Sequence, residues 1–214
     1  MTHSDEKAAP ERFELSGGAL CLDFANTWGN QADPGSDRLR DYEHLVAFAR
    51  QTGSLTDDAA ATLSRTAGRD REASAAALSL GRELRQVIYR VFSSRAGHRD
   101  VQPENVDRIN AVLGEALSHR RIEQRDGGFA WNWTGIDAGD LRSPVWPIIE
   151  SAAALLASEE LNRVRECNAP DCNWLFLDRS RSGTRRWCSM QSCGNRAKAR
   201  RHYRRREKGR ARRA

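Results

Sequence analysis

The stretches Cys167-Asn168-Ala169-Pro170-Asp171-Cys172 and Cys188-Ser189-Met190-Gln191-Ser192-Cys193 hold two cysteine pairs, each spaced C-x4-C, on either side of a fifteen-residue loop. Thiolates are soft, strong ligands for Zn²⁺, and two such pairs supply the four donors of a closed tetrahedral site. A closed site organises the chain and leaves no coordination position for chemistry. The spacing therefore predicts one structural zinc, held by Cys167, Cys172, Cys188 and Cys193. The fifth cysteine, Cys21, stands alone in an apolar segment, which marks it as a core residue. A reducing compartment favours metal ligation by such cysteines over disulfides.

Outward from the cysteines, Trp174-Leu175-Phe176-Leu177 reads as a strand, residues 180–184 as a turn around Gly183, and Arg185-Arg186-Trp187 as a returning strand. Cys188 and Cys193 are five positions apart, about 140° around an ideal helix, so both cannot share one helical face. Ser189 is a good N-cap, which sets Cys188 just before a helix and Cys193 near its first turn. Knuckle, hairpin and ligand-bearing helix make a treble-clef-like finger.

Charge is concentrated directly behind this finger. From Gly194 to the end of the 214-residue chain there are eleven Lys or Arg against Glu207 alone, a balance of +10. The whole chain carries +6, so the first 193 residues carry −4. A mildly acidic body with a strongly basic end is the pattern of a protein that holds its end against a polyanion. A helix through Arg196, Arg200 and Arg204 carries one basic ridge, and Arg201, Arg205, Lys208 and Arg212 a second. Neither has an apolar stripe to bury, and only Tyr203 and small alanines interrupt the charge, which argues against a membrane-surface helix. The nucleic-acid-binding candidates are Arg185, Arg186, Asn195, Arg196, Lys198, Arg200, Arg201, Arg204 and Arg205.

The remainder reads as mostly helical. Residues 1–12 are polar and aperiodic, a disordered lead-in. Leu20-Cys21-Leu22-Asp23-Phe24-Ala25-Asn26-Thr27 fits a short helix, or a strand on its alternating Leu20, Leu22 and Phe24. Asp41 caps a helix that buries Tyr42, Leu45, Val46, Phe48 and Ala49, and Thr56 with two aspartates starts another. The alanine-rich segment 71–95 is the longest helix, and Pro103 opens the next, with Val106, Ile109, Leu113 and Leu117 inward. The period then changes: residues 121–125, a turn at Asp126-Gly127-Gly128, and alternating Phe129, Trp131 and Trp133 make a β-hairpin. A helix over 147–164 leads into the finger. The fold class is mainly α with one small hairpin: lead-in 1–12, helical body 13–164, finger with basic helix 165–206, basic disordered tail 207–214.

The sequence Arg185-Arg186-Trp187-Cys188-Ser189-Met190, followed by Cys193-Gly194-Asn195-Arg196, resembles the CGNR zinc finger. Leu22-Asp23-Phe24-Ala25-Asn26-Thr27 and Leu39-Arg40-Asp41-Tyr42 resemble the ABATE domain, and together the two resemblances cover nearly the whole chain. They imply a bacterial, stress-induced transcription regulator whose finger binds DNA.

The five histidines are scattered, and no phosphate-cradling glycine loop, nucleophile elbow or HExxH occurs. The polar cluster Asp23, Asn26, Thr27 with His44 is the candidate pocket for a small-molecule effector, against a structural reading in which it caps helices and satisfies backbone groups. No stretch reads as a signal peptide, and the apolar run 144–157 is too short to span a bilayer, so a cytoplasmic location is expected. A DNA-binding regulator is the leading reading. RNA or ribosome binding is the first alternative, since phosphate dominates affinity for both nucleic acids, and an enzyme with a purely structural zinc is the second.

Overall fold

The computed structural model describes residues 12–31, 33–125 and 127–211, with side chains described for all of these but Arg125 and residues 204–211. The chain builds seven α-helices among the described residues: α1 (Leu20–Ala25), α2 (Tyr42–Gln51), α3 (Asp57–Arg69), α4 (Arg71–Ala96), α5 (Pro103–Ser118), α6 (Trp146–Leu156) and α7 (Asn195–Ala211). Two antiparallel pairs accompany them, β1 (Arg120–Arg125) with β2 (Gly128–Trp133), and β3 (Val164–Glu166) with β4 (Leu175–Leu177).

Local chemistry sets the helix starts. The side chains of Asp41, Thr56 and Asp70 accept hydrogen bonds from the N–H groups of His44, Ala59 and Ala73, satisfying donors that a helix leaves open. Pro103 occupies the first turn of α5, where its missing N–H costs nothing. Gly127, with φ of 82°, takes the left-handed backbone of the β1–β2 turn.

Helix α4, about 39 Å long, is the spine of the body. It packs against α1, α2, α3, α5 and β3. Helix α1 is nearly all core: Cys21, Leu22, Phe24 and Ala25 are wholly buried, with Phe24 5.3 Å from Phe48 of α2 between ring centroids. Burial pushes the Cys21 thiol up to about 12, so it stays protonated and inert.

Three segments depart from the sequence expectations. The helix expected over 147–164 stops at Leu156, because the Ser158 hydroxyl donates to the Leu155 carbonyl and the chain turns extended there. A 3₁₀ turn (Glu159–Arg163) then leads into β3. The returning strand at 185–187 does not form either: Arg185 gives its N–H to the Asp178 carboxylate, the Arg186 carbonyl accepts from Asn168, and the partner of β4 is β3. In α5 the buried residues are Ile109, Val112 and Ala116, whereas Val106 and Leu117 are exposed, so the seam is rotated from the expected one.

The boundary drawn at 164/165 falls inside a strand pair. Val164 is paired with Leu177, and β4 alternates between two cores. Leu175 and Leu177 join the body core while Phe176 packs with Cys167, Ala169, Cys188 and Cys193. A strand points successive side chains to opposite faces, so three residues serve both units. The backbone of α7 runs to Ala211, past the residue where the disordered tail was expected to begin; residues 1–11 and 212–214 lie outside the described residues. No helix among the described residues is long and apolar enough to cross a membrane.

Candidate metal centre and nucleic-acid interface

The four cysteine Sγ atoms lie within 4.8 Å of one another, and Cys167, Cys188 and Cys193 are buried. The Cys172–Cys188 and Cys188–Cys193 sulfurs are 3.7 and 3.6 Å apart. Four sulfurs at the ordinary Zn–S bond length on a tetrahedron stand about 3.8 Å apart. Donor set and spacing therefore fit one structural Zn²⁺, with each cysteine giving one thiolate. Zinc supplies cross-linking here, and among the described residues the cluster holds four cysteine donors and no fifth.

Hydrogen bonds aimed at the sulfurs favour the thiolate form. Cys188 N–H donates to Cys167 Sγ at 3.4 Å, and the Arg196 guanidinium donates to Cys193 Sγ at 3.0 Å. A Zn²⁺ with four thiolates carries a net −2, of which the Arg196 cation offsets a part.

The Cys193-Gly194-Asn195-Arg196 tetrapeptide thus has a local account. Ser189 caps a π-turn (Met190–Gly194), and Gly194 N–H reaches back five residues to the Ser189 carbonyl. This wider turn carries Cys193 to the metal. A Cβ on Gly194 would stand 2.8 Å from the Met190 sulfur and 3.4 Å from the Trp187 ring. Asn195 donates from Nδ2 to the Gln191 carbonyl, tying the first turn of α7 to the π-turn. Arg196, besides its bond to Cys193, pairs with Asp171 at 3.3 Å, and Arg200 reaches the same carboxylate at 3.4 Å.

These contacts sort the nucleic-acid candidates. Arg185 differs from expectation: its guanidinium lies 4.4 Å from the Phe176 ring centroid and donates to the carbonyls of Trp187 and Cys188, and at 3.3 Å to that of Ser16, fastening the finger to the body. Arg186 is exposed, with its cation over the Trp187 ring. Arg196 and Arg200, one turn apart at the start of α7, share the face that meets Asp171 in the knuckle. Lys198 and Arg201 are exposed, with no hydrogen bond or ion pair to another described residue. The side chains of Arg204 and Arg205 lie outside the described residues.

The finger is bolted to the body by further polar contacts. Trp174 donates its indole N–H to the Gly29 carbonyl at 3.0 Å, and Arg179 forks onto Glu160 at 2.9 and 3.0 Å. Buried Asp178 accepts from the N–H groups of Ser180 and Arg185, both at 2.9 Å, pinning the 180–185 loop. Burial opposes its charge, but these hydrogen bonds outweigh burial and hold the carboxyl below its usual range. Asp171 and Asp178 were not singled out from sequence. The Asp178-Arg179-Ser180 spacing of an Asx turn was the available signal for the second; nothing local marks the first.

The polar cluster in the body does not converge on one pocket. Asn26, 2 % exposed, uses both ends of its amide on the Leu175 backbone. Thr27 donates to the Phe24 carbonyl and accepts from Arg85. Asp23 accepts from Gly17 N–H at 2.7 Å, and burial raises its pKa to about 6. His44 sits on α2 with Nδ1 2.5 Å from Asp41 and Nε2 3.3 Å from Arg40. The reason is geometric: Asn26 and Thr27 end α1 with their side chains turned to main-chain partners.

Fold and centre together define a zinc-finger protein with a helical N-terminal body. Over residues 18–159 the chain matches the ABATE family, described as "Putative stress-induced transcription regulator", and over residues 163–206 the CGNR zinc finger. The protein belongs to the ABATE family. No curated protein matches it.

Proposed function

We propose that this protein is a zinc-dependent, DNA-binding transcription regulator in which the finger presents α7 to duplex DNA and the body senses a small-molecule effector. The observation that carries this reading is α7 itself. It begins on a metal-clamped turn, shows no apolar face, and leaves Lys198 and Arg201 exposed with no counter-charge among the described residues. A helix that gains nothing by packing on its own chain, yet is rigidly mounted, is suited to a polyanion. The description of the ABATE family supports a regulator, and the CGNR match supports the zinc.

The test is duplex binding by fluorescence anisotropy as a function of salt. If about five cations of α7 neutralise phosphates, log K falls against log salt with a slope of roughly −4 to −5. Removal of the residues after Gly194 abolishes most binding. A specific regulator prefers its own site over random duplex by at least about a thousandfold. Equal affinity for all duplexes, or tighter binding of structured RNA, would overturn the reading.

A further inference from the structure

Beside α4 lies an open cleft of about 450 Å³, the size range of small-molecule sites. Its apolar wall is Trp28 with Pro34 and Gly35 of the 3₁₀ turn Pro34–Ser36. Its polar wall comes from α4, which contributes Arg82 and Arg85 one turn apart, in contact with Asp37 and the Arg40 carbonyl.

The wall is more cationic than the fold requires. Arg85, 1 % exposed, places Nη1 and Nη2 2.6 and 2.7 Å from the two Asp37 oxygens, a fork that neutralises both groups and pins the 28–40 segment to α4. Burial opposes the Asp37 charge, but Arg85 outweighs it and keeps the carboxyl below its usual range. Its Nε is buried with no hydrogen-bond partner among the described residues. Arg82 donates Nε and Nη2 to the carbonyls of Leu39 and Arg40 and lies 3.8 Å from the Asp37 carboxylate that Arg85 already engages, so two cations share one acid, and its Nη1 has no hydrogen-bond partner among the described residues. Arg82 and Arg85 against Asp37 leave a formal +1 on this wall of the cleft. Arg85 also lies 5.2 Å from the Trp28 ring centroid, so the cations and the flat apolar surface adjoin.

We propose that this cleft binds a small planar organic anion, an aromatic carboxylate whose charge meets the arginines and whose ring lies against Trp28. The inference deepens the sensing half of the proposed function and rests on it, while its test involves no DNA. Two residues of the polar cluster stand just behind the site: Thr27 through its contact with Arg85, and His44 through its contact with Arg40. Gly29, next to Trp28, holds the Trp174 indole of the finger, so the occupied cleft adjoins the body-to-finger contact.

The experiment titrates benzoate into the full-length, zinc-loaded protein at constant ionic strength, following the melting temperature and the indole ¹⁵N–¹H peak that disappears in Trp28→Phe. The expected result is a saturable shift of that peak and a rise of about 3 to 6 °C at ten times Kd. Neutral benzamide has no effect. Gln86, which also lines the cleft, tunes the affinity without touching the Arg85–Asp37 fork: Gln86→Glu weakens benzoate about tenfold, and Gln86→Lys strengthens it. No saturable response by about 20 mM, where even a millimolar site is filled, overturns the site. An equal response to benzamide overturns the anionic class, and preference for inorganic phosphate over benzoate overturns the aromatic carboxylate.

Discussion

Asn26 and Leu175, 149 positions apart, exchange two hydrogen bonds: Asn26 Nδ2 donates to the Leu175 carbonyl and Asn26 Oδ1 accepts from the Leu175 N–H, each at 2.8 Å. A primary amide reproduces the donor–acceptor pair of a neighbouring strand. Beside it, Leu177 N–H donates to the Gly17 carbonyl, so the edge of β4 that faces away from β3 is closed by the body. Strand β4 is therefore the last strand of the body as much as a strand of the zinc module.

Asn26→Ala should lower stability by about 2–4 kcal/mol, because it leaves one buried N–H and one buried C=O without partners. The loss should be readable in denaturant titration and in faster amide exchange at Leu175. A change below about 0.5 kcal/mol would show that the pair does not hold the two units together.

One zinc per chain should be found by elemental analysis, and its removal by chelator should cost little far-UV helical signal. Helices α1 to α6 lie in the body core, whereas the metal-dependent cluster is Cys167, Ala169, Phe176, Cys188 and Cys193. Cys193→Ser should release the metal and the mount of α7 together. Retention of stoichiometric zinc by Cys193→Ser would contradict a four-cysteine site.

Arg196 and Lys198 sit two residues apart on α7 and should fail in different assays. Arg196→Gln removes the donor to Cys193 Sγ and the pair with Asp171, so it should weaken zinc retention about 10- to 100-fold, as loss of a group supporting a metal ligand does. Lys198→Gln with Arg201→Gln should leave zinc unchanged and reduce the magnitude of the salt slope of DNA binding by roughly two. Competition with a chromophoric chelator and anisotropy at several salt concentrations separate the two effects. Loss of zinc in the Lys198 variant would place that side chain with the metal.

The zinc ligands were legible because thiolate chemistry and spacing need no tertiary knowledge. The starts of α2, α3 and α5 were legible for the same reason, since Asp41, Thr56 and Pro103 act on their own first turns. What could not be read was the use of long polar side chains. Arg185 and Arg186 are adjacent and identical in sequence, yet one is drawn inward by the Phe176 ring and by carbonyls as distant as Ser16, and the other is exposed. Asn26 looked like a pocket residue because its partner strand lies at the far end of the chain. The partner of β4 was misassigned because Asp178, by accepting from Arg185 N–H, takes the donor that a returning strand would have used. The cationic cleft was hidden likewise, since Trp28, Asp37 and Arg85 meet only after α4 has packed.

Asp23 should make stability depend on pH with the sign opposite to that of a salt-bridged carboxylate. Burial raises its folded pKa from 3.8 to about 6, against the backbone N–H groups of Gly17 and Ser16 that pull it down. Below about pH 4 the group is neutral whether the chain is folded or not. Between about pH 4 and pH 6 the unfolded chain loses this proton while the folded one keeps it, so rising pH draws the equilibrium toward unfolding, and above about pH 6 the cost levels off. The span of the shift corresponds to about 3 kcal/mol, an order-of-magnitude figure. Asp23→Asn cannot ionise and retains an oxygen able to accept from Gly17. Subtracting its pH profile from that of the wild type should isolate a term that falls across this window and is flat on either side. Parallel profiles from pH 4 to pH 7 would mean that the Asp23 carboxylate is already ionised in the folded protein at the lower end.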